Sequence, residues 1–288
     1  MATSNEWTFD GTDGERVART WGGVADRGGA PEPRYVVLLA HGYGEHIGRY
    51  EYVADWLVSR GAIVHGVDHV GHGKSAGERV LVGDYEDVVA DLHTLLELTR
   101  ASAPGSAGRA GPADLADLPV VLIGHSMGGM IGARFAQRYG EELAALVLSG
   151  PVLGRWQVVD DLLLLDPIPD TPIEPSTLSR DPAVGEAYVA DPLVWHGPFK
   201  RATLEALNAG LALIARSGDL GTLPALWIQG SDDQLVPLVD SRAGIEVIAG
   251  SALTEHIFPG ARHEVFNETN RDEVLGTVTD FVDGLLGA

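Results

Sequence analysis

The chain has 288 residues, with 20 Lys and Arg against 41 Asp and Glu, so its formal net charge is −21. Such an acidic excess repels phosphate backbones and offers no polybasic anchor for anionic lipid, which argues against nucleic-acid binding and electrostatic membrane anchoring. Cysteine is absent, which removes disulfides, thiolate nucleophiles and cysteine-held metals and leaves hydroxyl, imidazole and carboxylate as the available chemistry.

From the N-terminus, Glu6–Asp10 and Arg16–Trp21 flank the turn Gly11-Thr-Asp-Gly14 and predict a hairpin at a sheet edge. Tyr35–Ala40 and Ala62–Val67 are short apolar runs rich in β-branched residues, the pattern of strands buried on both faces. Pro119–Gly124, Ala144–Ser149, Ala225–Gln229 and Ala252–Phe258 read the same way. Helical periodicity falls between or after them, over Arg49–Arg60, Tyr85–Arg100, Met127–Tyr139 and Arg271–Leu286. This alternation predicts an α/β protein whose mostly parallel sheet is covered by helices on both faces.

Two segments break the rhythm. Residues 101–118, rich in Ala, Gly, Ser and Pro, read as a solvated surface loop with no assigned role. Residues 151–221 show no alternation and carry Leu162-Leu-Leu-Leu165 ahead of Asp166-Pro-Ile-Pro-Asp170. An insertion here lies over the carboxyl ends of the strands, where open α/β sheets bind ligands. Residues 151–221 are therefore expected to form a cap, with 1–150 and 222–288 as the core. No run approaches the roughly 18 apolar residues of a membrane span, and the start lacks the basic and apolar regions of a secretory signal. The expectation is a cytoplasmic protein without a signal peptide.

The strongest chemical signal is Gly124-His-Ser-Met-Gly128, a G-x-S-x-G between a predicted strand and a predicted helix. Its glycines allow a turn sharp enough to lift the Ser126 hydroxyl clear of the sheet, which makes Ser126 the candidate nucleophile. A serine needs an imidazole to take its proton, and in such a fold the order runs Ser, acid, His. His196, His256 and His263 follow Ser126. His196 falls in the insertion and His256 inside an apolar strand run, where a buried or sheet-facing structural role is expected. His263 lies in the loop Pro259–Glu264 and is preferred. For the orienting acid, Gly230-Ser-Asp-Asp offers Asp233, with Asp232 read as a turn or capping residue. Oxyanion donors are expected from the backbone N–H of Met127 and, in the Gly-rich loop His41-Gly-Tyr-Gly44, of Tyr43. The scattered histidines His41, His46, His65, His69 and His72 carry no fixed ligand spacing, so no metal and no cofactor is expected. Leu162–Leu165 reads as core or, alternatively, as an exposed cap edge that touches lipid.

Four stretches together resemble the monoacylglycerol lipase type of α/β-hydrolase: His41-Gly-Tyr-Gly-Glu-His-Ile-Gly-Arg-Tyr50, Asp68-His-Val-Gly-His-Gly-Lys-Ser-Ala-Gly-Glu-Arg79, Gly124-His-Ser-Met-Gly-Gly129, and Leu178-Ser-Arg-Asp with Tyr188-Val-Ala-Asp-Pro-Leu193. The resemblance implies an eight-stranded α/β-hydrolase sheet with a cap inserted after the sixth strand. It also implies a serine ester hydrolase that cleaves monoacylglycerols to fatty acid and glycerol through an acyl-enzyme on Ser126. A lysophospholipase or broad carboxylesterase is the alternative. In the family, the matching triad is Ser126, Asp233 and His263, and the oxyanion donors are Tyr43 and Met127. Glu45, Arg49 and Tyr188 match positions at the polar end of the pocket that receives glycerol hydroxyls; a mutual salt bridge between Glu45 and Arg49 that holds the oxyanion loop is a compatible reading. Where mammalian members carry a second histidine three residues after the catalytic one, this chain has Phe266. The implied partner is a small lipid substrate, with transient contact to a membrane or micelle through the cap and no obligate protein partner.

Overall fold

Short runs rich in aliphatic and β-branched residues become the parallel strands of the sheet, and helices cover the central ones on both sides. In the computed structural model, which describes residues 2–23, 31–101 and 117–287, these strands are β3 (Tyr35–Ala40), β4 (Ala62–Val67), β5 (Val120–His125), β6 (Ala145–Ser149), β7 (Ala225–Gly230) and β8 (Leu253–Phe258). The hairpin β1 (Ser4–Gly11) and β2 (Gly14–Trp21) joins antiparallel to β4. The order across the eight-stranded sheet is β1-β2-β4-β3-β5-β6-β7-β8. Every residue of β3, β5, β6 and β7 is buried. This accounts for their continuous apolar runs, since a strand covered on both faces has no polar side to show.

The covering helices divide between the faces. One face carries α2 (Tyr85–Ala101), α3 (Met127–Tyr139) and α7 (Leu238–Ile248), which contribute Leu92, Ile131 and Ile245 to a core with Leu38 and Leu122. The other carries α1 (Glu51–Val58) and α8 (Arg271–Leu286), whose Leu57 and Leu275 meet Val37 and Ile123. The edge hairpin is tied to α2 by a buried ion pair, Arg16 Nε to Asp91 Oδ2 at 2.6 Å, while Asp91 Oδ1 accepts from Thr12 N–H at 2.6 Å.

Several expectations need adjusting. The helix read over Arg49–Arg60 is a 3-10 turn, Ile47–Tyr50, running into the shorter α1. Helix α7 between β7 and β8 was not anticipated. Nor was helix expected in the insertion, which lies between β6 and β7 and holds α4 (Gln157–Leu163), a 3-10 turn at Pro175–Thr177, α5 (Pro182–Ala190) and α6 (Arg201–Arg216). Five prolines from Pro167 to Pro182 cut this region into pieces too short to show a period. Helix α6 is longer, and it buries Leu204, Leu207, Leu211 and Ile214 against the first core. The surface loop expected over 101–118 falls almost wholly on residues 102–116, outside the described residues. Among the described residues, no helix is long and apolar enough to cross a membrane.

Candidate active site

The chain leaves β5 through Ser126, whose φ of 56° and ψ of −119° lie where non-glycine residues are rarely found. Two glycines make that turn possible. A Cβ on Gly124 would sit 2.2 Å from Gly128 O, and one on Gly128 would sit 2.0 Å from Ala40 O at the end of β3. The turn packs α3 directly onto the sheet and leaves Ser126 at the floor of a cavity of about 260 Å³. The Ser126 N–H donates to Ser149 O at 2.9 Å, fixing the elbow to β6.

His263 follows β8 and reaches the same cavity. Its Nδ1 lies 2.8 Å from Asp233 Oδ2, which leaves Nε2 on the cavity side. Asp233 stands in the turn after β7, where Oδ1 accepts from the N–H groups of Leu235 at 3.0 Å and Val236 at 2.9 Å. Gln229 Nε2 donates to Asp233 Oδ2 at 3.2 Å. With these donors fixed, the carboxylate has one remaining direction, toward the imidazole. Burial by itself would lower the basicity of His263, but the charge and hydrogen bond of Asp233, with Glu264 and Glu45, hold its pKa above the ordinary 6.5. Among the described residues, Ser126 Oγ and the His263 ring share no direct hydrogen bond, a looseness common before substrate binds.

The loop after β3 lies against the elbow, so close that a Cβ on Gly42 would come within 3.2 Å of Ser126 Cβ. Neither the Tyr43 nor the Met127 N–H donates to another described group. His41 shapes this loop. Its Nδ1 is 2.8 Å from Gly42 O and its Nε2 accepts from His69 N–H at 3.0 Å, which assigns the proton to Nδ1. The Asp68–Arg79 stretch acts as a buttress, with Asp68 Oδ1 accepting from Ile47 N–H and Oδ2 from Lys74 N–H, each at 2.8 Å. His41, His69 and His72 therefore pack as a buried neutral cluster, and burial drives the pKa of His41 down to about 4 and that of His72 to about 3. No three His, Asp or Glu side chains among the described residues converge as metal ligands.

Glu45, Arg49, Tyr188 and Glu264 line the same cavity. Arg49 Nη1 donates to Glu45 Oε2 at 2.6 Å and to Glu264 Oε1 at 2.7 Å, and Nη2 donates to Glu264 Oε2 at 2.8 Å. Burial opposes the charge on Glu45, yet Arg49, His125, His41 and the Gly42 N–H outweigh it and pull the pKa down to about 2. The buried Tyr188 ring lies 5.2 Å from the Arg49 guanidinium. An apolar part of the wall comes largely from the insertion, through Trp156, Leu162, Ile173 and Phe199.

The structure thus brings Ser126, Asp233, His263, Tyr43, Met127, Glu45, Arg49 and Tyr188 to one place. Of the buried or sheet-facing role expected for His256, the buried part is corrected: it lies on the edge strand β8 beside the Phe258 ring, 4.5 Å away, and is exposed because the middle of β8 is covered on neither face. Asp232 is exposed in the turn after β7. The leucine run divides, with Leu162 on the cavity wall and Leu164 exposed by 84%. Sequence reasoning missed Glu264, Gln229 and His125. Glu264 has no local signature, because a carboxylate in a loop ordinarily reads as solvated and its partner lies 215 positions away.

A mostly parallel sheet with a strained serine between β5 and α3, and an Asp–His pair after β7 and β8, defines the α/β-hydrolase class. The chain belongs to the serine aminopeptidase S33 family, which it matches over residues 31–270. It is 36% identical to a monoacylglycerol lipase of Mycolicibacterium smegmatis, covering 98% of each chain. It is 32% identical to the monoglyceride lipase of Homo sapiens, over 82% of this chain and 77% of that one. Among solved structures, a soluble variant of the Saccharomyces cerevisiae monoglyceride lipase superposes with a TM-score of 0.80 at 20% identity, covering 99% and 96%. The monoacylglycerol lipase of Paleococcus ferrophilus gives 0.73 at 23%, covering 98% and 99%. At those identities the structures bear on the fold.

Proposed function

We propose that this chain is a serine ester hydrolase that cleaves monoacylglycerols to free fatty acid and glycerol. The observation that carries the reading is one cavity lined by Ser126 and His263 together with the polar Glu45, Arg49 and Tyr188 and the apolar Trp156, Leu162, Ile173 and Phe199. His263 Nε2 takes the proton of Ser126 as Oγ attacks the ester carbonyl, and Asp233 holds the imidazole and stabilises its charged form. The oxyanion of the tetrahedral intermediate is met by the N–H groups of Tyr43 and Met127. The imidazolium then protonates the leaving glycerol oxygen, and water repeats the sequence on the acyl-enzyme. The acyl chain lies along Trp156, Leu162 and Phe199, while Arg49, Glu45 and Tyr188 receive the glyceryl hydroxyls, which cost about 1 to 3 kcal/mol each when buried without partners. Residues 151–221 act as the cap that encloses the chain.

Support for the substrate class comes from the 36% identity to the M. smegmatis monoacylglycerol lipase over 98% of both chains. The test is kcat/KM for monoolein, diolein, lysophosphatidylcholine and short p-nitrophenyl esters. Preference for monoolein is the expected result; equal rates on the phospholipid or the short esters would instead make the chain a lysophospholipase or general carboxylesterase. A cytoplasmic enzyme must also reach its lipid, and we assign that contact to the exposed Leu164 and Leu165 at the end of α4.

A further inference from the structure

Glu264 sits where two functional loops meet. Its N–H donates to Leu178 O at 2.8 Å, tying the histidine loop to the insertion. Its side chain is fully engaged by the fork of Arg49 described above and by Asn267 Nδ2, which donates to Oε2 at 2.8 Å. Beyond Arg49 the chain of bonds continues. Glu45 takes the second bond from Arg49 Nη1, and its Oε1 accepts from Gly42 N–H at 2.6 Å and from Tyr50 O–H at 2.8 Å. An unbroken ionic path therefore runs from the residue after His263 to the residue before Tyr43. The carboxylates are 5% exposed at each end and the guanidinium 11%. A bidentate Arg–carboxylate pair is directional as well as strong, and burial keeps water from competing for it.

We propose that Glu264 is a positioning residue of the reaction: through Arg49 and Glu45 it fixes the Gly42–Tyr43 loop relative to His263, so that oxyanion donor and base are set as one unit. This rests on the serine-hydrolase reading of Ser126 and His263, though not on the identity of the ester. The physical need is distance. An oxyanion donor works at about 2.7 to 3.1 Å from the developing charge, and a displacement of about 1 Å costs on the order of 100-fold in rate. His41 and Gly44 anchor the loop on either side, through His69 N–H and Trp195 N–H, but Gly42 carries no side chain to pack, and its N–H is held by the Glu45 carboxylate. A second consequence is electrostatic. His263 faces Asp233 and Glu264 on its own side of the cavity, Glu45 and Arg49 from the loop after β3, the His125 ring 4.8 Å away, and Tyr188 and Glu174 from the insertion. Glu264 adds a negative charge to this set, which favours the imidazolium.

The experiment measures Glu264→Gln, Glu264→Asp and Asn267→Ala by two readouts: kcat and KM on a short p-nitrophenyl ester, and the rate at which a fluorophosphonate labels Ser126 across the acid limb. Glu264→Gln is expected to lower kcat about 10- to 100-fold with KM nearly unchanged. It should also move the acid limb to lower pH. Glu264→Asp keeps the charge but not the reach, so the rate falls while the acid limb stays. Asn267→Ala leaves the ion pair and gives a smaller loss in the same direction. The proposal is overturned if kcat and the acid limb are unchanged in Glu264→Gln, or if activity in every variant only tracks the folded fraction with a fixed acid limb. Should Glu264→Gln not fold, unchanged kcat in the other two variants overturns it. A wild-type protein that labels and cleaves the short ester but not monoolein removes the acylglycerol reading and leaves this one standing; a wild type that does not label removes the serine-hydrolase reading on which both depend.

Discussion

At the scale of single residues, the site is a set of groups whose surroundings move them away from their solution behaviour. His263 must be neutral to accept the Ser126 proton, yet Asp233 and the other carboxylates around it raise its pKa above 6.5. Activity is therefore expected to rise with pH through an acid limb lying above the ordinary histidine value, read from kcat/KM against pH. An acid limb at or below 6.5 would contradict this electrostatic picture. Replacement of Asp233 by Asn leaves the ring in place but reverses the polarity of the bond to Nδ1, so a fall of roughly 10⁴ in kcat is expected. Ser126→Ala should abolish fluorophosphonate labelling and reduce kcat by on the order of 10⁵ or more. Retained turnover in that variant would refute the mechanism.

At the scale of elements, the turn between β5 and α3 stores strain that its neighbours hold in place. Because a Cβ at Gly128 would meet the backbone of Ala40 at 2.0 Å, and backbone cannot swing aside as a flexible side chain does, Gly128→Ala should displace α3 or the oxyanion loop. The expected result is a loss of more than about 3 kcal/mol of stability together with labelling at Ser126, measured by urea unfolding. The insertion makes a separate prediction. Helix α4 turns Leu162 toward the cavity and leaves Leu164 and Leu165 outside. Leu164→Ser with Leu165→Ser should weaken co-sedimentation with zwitterionic liposomes while sparing hydrolysis of soluble esters; undiminished sedimentation would remove the assigned contact. With a net charge of −21, any such contact has to be apolar rather than electrostatic.

For the molecule as a whole, buried histidines couple the fold to pH. His41, His65 and His125 have pKa values lowered to about 4 by burial, and that of His72 falls to about 3. A depressed pKa means that the folded state binds fewer protons than the unfolded chain, so these groups contribute stability above about 6.5 that is lost as pH falls toward 4. The raised pKa of His263 acts in the opposite sense: its contribution is complete below the unfolded value and fades as pH rises through the folded one. Glu45, held at about 2, adds stability above the ordinary carboxylate range that drains away as pH falls toward 2. The histidine cluster dominates between pH 6.5 and 4. Tm is expected to fall progressively as pH drops across that window; a flat Tm profile would show that these histidines are hydrated.

Much of this arrangement was legible in the amino-acid sequence because its causes are local. Strands β3, β5, β6 and β7 declare themselves as short, largely apolar runs, since both their faces are covered. The Gly124–Gly128 turn does so because only glycine fits where backbone meets backbone. The order of Ser126, Asp233 and His263, and the loops that hold them, follow from the same alternation of strand and helix. The tertiary structure alone decided what those loops face. It placed His256 on an uncovered edge, split the leucine run between cavity and solvent, and built the insertion from helices whose prolines had hidden their period. It also brought Glu264 against Arg49 across 215 positions of chain. No local pattern encodes such a meeting, because it depends on the sheet order that sets the loop after β3 beside the loop after β8, and a buried carboxylate is distinguished from a solvated one only by the partner it finds there.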